Sequence, residues 1–105
     1  MLAKKYRLPV QSVINRKGQT FRGRYVTLKM FTSTRPHGRV GVVVSKKTAG
    51  LATERNRLKR LAYGAVDVKT LSTRNVEFLL LVQRTASADP RAMIEEIQSF
   101  LNEAK

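Results

Sequence analysis

Between Tyr25 and Phe31 the chain alternates. Val26, Leu28 and Met30 fall on one side of an extended backbone, and Tyr25, Thr27, Lys29 and Phe31 on the other. A period of two marks a strand with two unlike faces. The stretch Phe21–Phe31 is therefore expected to be a strand, bent at Gly23 or broken there into two pieces. RVGVVVS, Arg39 to Ser45, does not alternate, and its β-branched density predicts a strand buried on both sides. Glu77–Gln83 is a third strand, nearly all apolar. Elsewhere the period lengthens to that of a helix. Val10, Val13 and Ile14 follow Pro9 and precede Gly18, which predicts a short helix. Leu58, Leu61, Ala62 and Ala65 mark a central helix, with Thr53 expected as its N-cap, Glu54 in its first turn and an end near Val66. Met93, Ile94, Ile97, Phe100 and Leu101 form the stripe of a last helix, capped by Asp89 with Pro90 at its first position.

The order is helix, strands, helix, strand, helix. Such an order favours an α+β domain in which a mixed sheet is covered mainly on one face. STRPHG, Ser33 to Gly38, supplies turn chemistry. No repeat, low-complexity tract or linker interrupts the 105 residues, so a single domain over 1–105 is expected.

Charge changes the picture. The formal net charge is +14, from 21 Lys and Arg against 7 Asp and Glu. Self-repulsion of that size destabilises the compact chain unless an external polyanion neutralises it. The excess is also uneven. Eighteen of the Lys and Arg precede Val76, beside two acids, Glu54 and Asp67, so one surface should carry the positive field. With Leu58 at the origin of a helical wheel, Leu61, Ala62 and Ala65 gather beside it. Asn56, Arg60 and Tyr63 then point away, Arg57 and Lys59 flank them, and Arg55 lies nearer the core edge. RNRLKR, Arg55 to Arg60, thus makes one outward cationic face rather than a scatter.

A solvated helix face usually mixes signs and pairs Glu with Lys. This one does not, and phosphates would relieve its repulsion. Arg offers planar forks to phosphate oxygens and Lys a point charge. Asn56 suits a base edge or a ribose 2′-hydroxyl, or is simply a solvated amide. Tyr63 either stacks on a base or packs at the helix edge. Lys46 and Lys47, just before the helix, are placed to meet the same backbone. Arg22 and Arg24 either extend the patch or guard a strand edge.

Other chemistry finds few parts. With no cysteine, disulfides and thiolate metal sites are excluded, and a cytoplasmic location is expected. No apolar signal-peptide core and no membrane-length apolar run occurs. The lone histidine, His37, sits in a Pro-Gly turn, and general acid–base work needs a positioned partner. Glu95 and Glu96 are accounted for by the dipole of the last helix. A DNA-binding module is disfavoured, since no recognition-helix pair with a short turn is present. A membrane-surface role is weaker still, because the basic helix has only a narrow apolar stripe.

Three blocks in order carry a family resemblance: RKGQTFRGRYVTLKM (Arg16–Met30), RVGVVVSKK (Arg39–Lys47) and RNRLKR. Together with the later strand and its Asp-Pro helix, they resemble the bacterial ribonuclease P protein subunit over almost the whole chain. The resemblance implies a helix-β-β-β-helix-β-helix domain with a mixed four-stranded sheet and a left-handed crossover. It implies a subunit of an endoribonuclease that removes the 5′ leader of precursor tRNA, with ribonuclease P RNA and precursor tRNA as partners. In that family the chemistry belongs to RNA-bound Mg²⁺, so no cofactor and no catalytic residue is expected in the protein itself. No obligatory protein partner, no membrane and a monomeric state are expected with it. By position, Arg55, Asn56, Arg57, Lys59 and Arg60 would face the RNA, supported by Lys46 and Lys47; Tyr63 joins these RNA-binding candidates from the helical wheel alone. A leader cleft would include Gln11, Asn15, Thr27 and Lys29. The chain departs from the family where Tyr63 and Gly64 replace a usual Arg and Glu. Polar Gln11, Asn15 and Lys29 also stand at usual cleft aromatics. A structural RNA-binding protein without a role in cleavage, such as a ribosomal protein, is the alternative.

Overall fold

The computed structural model describes residues 6–9, 17–32, 37–47, 50–67, 69, 71 and 76–103. Most of the expected first helix, including Gln11 and Asn15, lies outside them. The described elements are β1 (Gln19–Arg22), β2 (Val26–Thr32), β3 (Arg39–Val44), α1 (Ala52–Gly64), β4 (Val76–Val82), α2 (Thr85–Ala88) and α3 (Pro90–Glu103).

The first strand of the sequence reading is two strands. It breaks at Gly23, and β1 folds back antiparallel on β2, with Arg22 opposite Thr27 and Gln19 opposite Met30. The sheet order is β1-β2-β4-β3. β4 is antiparallel to β2 and parallel to β3, so the sheet is mixed, and β3 reaches its parallel neighbour through α1. The outer edge of β3 is met by the N-terminal segment, where the Leu8 N–H donates to the Val40 carbonyl at 2.9 Å.

Alternation then sorts the side chains. Val26, Leu28, Val40, Val42, Phe78, Leu80 and Val82 point to one face and join Leu58, Ala62, Met93 and Ile97 from the helices in the main core. The opposite face is not bare. Leu8, Phe31 and Leu79 form a second, small apolar cluster there, with Val43 and Leu81 at its margin.

That second face also holds the one buried charge among the described residues, Glu77, at 2% exposure. Cross-strand register sets Arg39 directly beside it. The Arg39 guanidinium donates to Glu77 Oε2 through Nε at 2.9 Å and also through a terminal nitrogen. Burying either charge alone would cost several kcal/mol, so each is kept by the other.

Three further details differ from expectation. The residue before α1 is Leu51, in extended conformation with no side-chain cap, and Thr53 lies inside the helix. Asp89, by contrast, does cap α3, its Oδ1 accepting the Ala92 N–H at 3.2 Å. The helix α1 also stops at Gly64, two residues early, with open space around that glycine. Gly64 therefore marks the helix end. Glu96 lies beyond the first turn of α3, so the helix dipole does not explain it. Its carboxylate instead accepts three backbone N–H groups of the β1–β2 turn, from Arg24, Tyr25 and Val26, each at 2.8 Å. A side chain at Gly23 would collide with that carboxylate and with the Phe100 ring.

Candidate nucleic-acid interface

α1 is fastened to the core by few residues. Leu58 and Ala62 are fully buried, and Ala65 follows just past the helix end. The small side chains let the helix lie close over β3 and beside α3. Leu61 is only half-buried, so the apolar stripe is narrower than its spacing suggests. Leu61 and Tyr63 pack against the core at the helix margins, and the polar side chains are turned outward. Asn56, Arg57 and Arg60 are exposed, and Arg55, Lys59 and Tyr63 are half-buried around them.

These side chains differ in what occupies them. Arg55 reaches back to the Gly50 carbonyl at 2.8 Å and so pins the loop that leads into the helix. Arg57 lies 3.4 Å from both Glu54 oxygens, a loose pair one turn apart with the guanidinium half in solvent. Exposed pairs of that kind contribute little. Asn56, Lys59, Arg60 and Tyr63 make no side-chain hydrogen bond or ion pair with any described residue. Of the acids of α3, Glu96 is spent on the hairpin turn.

The structure adds a residue to this face that the sequence did not suggest. Arg7, carried in by the bridge to β3, joins Asn56, Lys59, Arg60 and Tyr63 around a cleft of about 470 Å³. Nothing in the local pattern of the first residues marks Arg7 out, because its place depends on pairing with Val40, 33 positions later.

Lys46 and Lys47 stand exposed in the turn after β3, where the parallel β3–β4 pair ends. Arg84, also unforeseen, follows β4 at the same end, and its Nε donates to the Lys47 carbonyl at 3.3 Å. The exposed Arg22 and Arg24 lie along this sheet end, Arg24 with its guanidinium 5.9 Å from the Tyr25 ring centre. The turn that carries them is held from beneath by Glu96, Gln83 and Thr85.

Thr27 and Lys29 fall elsewhere, on the second face of the sheet. Register places Thr27 beside Leu81 and Lys29 beside Leu79. The Thr27 hydroxyl accepts a hydrogen bond from Gln83 at 3.0 Å, so it is partly engaged already. The structure therefore divides the candidate residues between two surfaces: the α1 face with its flanking sheet end, and the sheet face behind it. His37 packs edge-on to Tyr6, ring centres 5.2 Å apart, with Nδ1 against the Gly38 carbonyl. Among the described residues no three His, Cys, Asp or Glu side chains gather as a metal site, and no helix is long and apolar enough to cross a membrane.

Comparison with known proteins gives one consistent result. The family model described as Ribonuclease P matches residues 4–105. The ribonuclease P protein component of Synechococcus sp. (strain WH7803) is 30% identical over 110 residues, covering 87% of this chain and 84% of that protein. That of Pseudanabaena sp. (strain PCC 6903) is 51% identical over 45 residues, 42% of this chain. Several of these matches are partial and span only 39% to 55% of the relatives' own lengths. Among solved structures, the Staphylococcus aureus RNase P protein superposes with a TM-score of 0.73 at 24% identity, covering 93% of this chain and 90% of that one. At that identity the likeness speaks for the fold.

Proposed function

The chain belongs to the ribonuclease P protein family, and from that premise we propose that it is the protein subunit of a ribonuclease P, binding the catalytic RNA and the 5′ leader of precursor tRNA. The observation that carries this reading is the outward face of α1. Asn56, Lys59 and Arg60 are held there by a helix whose core contacts lie on its other side, and they have no partner among the described residues. Lys59 and Arg60, cations without an acid partner among the described residues, are matched by the phosphates of a folded RNA. Arg55, Arg57, Lys46, Lys47 and Tyr63 support that contact, with Arg84 added at the sheet end. Thr27 and Lys29 would serve a leader strand on the opposite face of the sheet; Gln11 and Asn15, outside the described residues, are assigned to the same strand by the family resemblance alone.

The protein's part is to bind and position. Neutralised phosphates let two RNA chains approach, and fixed cations orient the leader relative to the scissile bond. The hydrolysis itself would fall to Mg²⁺ held by the RNA, which would supply an activated water and charge stabilisation at the leaving oxygen.

The test is reconstitution. Added to its cognate ribonuclease P RNA at low Mg²⁺, the protein should accelerate leader removal, and Arg57→Ala with Arg60→Ala should reduce that stimulation at least tenfold, about 1.4 kcal/mol. Binding without any acceleration would instead make it an RNA-binding protein with no part in cleavage.

A further inference from the structure

The cleft between the N-terminal segment and α1 is more than a stretch of positive surface. We propose that it is a seat for one unpaired nucleotide of the bound RNA, with the base against the Tyr63 ring and its phosphate between Arg7, Lys59 and Arg60. The inference rests on the RNA-binding role given above and adds what that role leaves open: whether this surface reads phosphate alone.

Four observations converge. The first is shape. A concavity of about 470 Å³ is lined by Arg7, Asn56, Lys59, Arg60 and Tyr63, enough for a base and its sugar phosphate, whereas a duplex backbone needs only a convex ridge of cations. The second is the wall. Tyr63 is half-buried and packs on the core, so its ring is held in place while one side borders the cleft. Stacking on a fixed ring costs little side-chain entropy and works for any base. The third is availability. The Asn56 amide and the Tyr63 hydroxyl make no hydrogen bond with any described residue, which leaves a donor–acceptor pair and a phenol open to a base edge or a ribose hydroxyl. The fourth is the two-sided build. Arg7 comes from the bridge to β3 and the other four from α1, so the cations reach the occupant from two separate elements. Glu54, the only acid of α1, is turned to Arg57 and away from the cleft lining.

The test uses two probes with the intact chain: a short single-stranded oligoribonucleotide, and an abasic ribose-phosphate chain bearing the same number of phosphates. Fluorescence anisotropy gives the ratio of their affinities, and salt titration gives the slope for each. The wild type should favour the base-bearing probe about tenfold. Tyr63→Phe should keep that preference. Tyr63→Leu, which retains an apolar contact with the core, should bring the ratio close to one without changing the salt slope. Arg7→Ala should weaken both probes alike and reduce the slope by about 0.7. A wild-type ratio of one, or a preference that survives Tyr63→Leu, overturns the seat. If the ratio is one while leader removal is still stimulated, the seat falls and the family role stands. If neither probe binds and cleavage is not stimulated, the role falls with it.

Discussion

Two groups of charges in this chain live under opposite rules. Arg39 and Glu77, with the Glu96 carboxylate in its ring of backbone N–H groups, are satisfied from within. On the outward face of α1, Lys59 and Arg60 have no internal partner among the described residues. The first group belongs to the fold, and the second is what the fold displays. The contrast teaches that charge alone does not identify a binding surface. Arg39 is as cationic as Arg60, and what separates them is whether the molecule has already answered the charge.

Mutation can break that contrast at its strongest point first. Glu77→Ala leaves the Arg39 guanidinium in a site only 16% exposed with its carboxylate gone, and urea unfolding should show a loss of about 3–5 kcal/mol. Glu77→Leu combined with Arg39→Met should restore most of it, because an apolar pair suits the surrounding Leu79 and Phe31. A single variant as stable as the wild type would place Arg39 in the displayed group instead.

A smaller loss is expected at the hairpin turn. Glu96→Ala strands three backbone N–H groups 70 or more residues away along the chain, at about 1–3 kcal/mol. Hydrogen exchange should quicken at Arg24, Tyr25 and Val26 before it quickens in β4. Uniform quickening across the sheet would mean that Glu96 supports the whole domain and not this turn.

The smallest effect on stability belongs to the displayed face. Arg60→Ala should leave the unfolding free energy within about 0.5 kcal/mol of the wild type. In the same variant the slope of log affinity for RNA against log salt should fall by about 0.7–0.9, one phosphate contact. A large stability loss with an unchanged slope would move Arg60 to the internal group.

Sequence patterning reached most of the elements because each rests on near neighbours. Val26, Leu28 and Met30 mark β2 by alternation alone, and Asp89 with Pro90 marks the start of α3 by local capping chemistry. RNRLKR was legible for the same reason, since a helical wheel needs only the helix. What escaped notice depended on register. Glu77 looked like an interruption in an apolar run until β3 brought Arg39 beside it. Glu96 looked like ordinary helix acidity until the β1–β2 turn closed over it. Arg7 and Arg84 joined the candidate surface only through β3 and β4. Thr53 misled as a cap because Leu51, with no side-chain oxygen to offer, takes the position.

The position of β4 has a consequence for biosynthesis. It is the last strand of the chain yet lies between β2 and β3, so the centre of the sheet stays open until residue 82 has been made. Contacts of such long sequence separation close slowly. The cation-rich portion of the polypeptide therefore leaves the ribosome ahead of the strand that organises it.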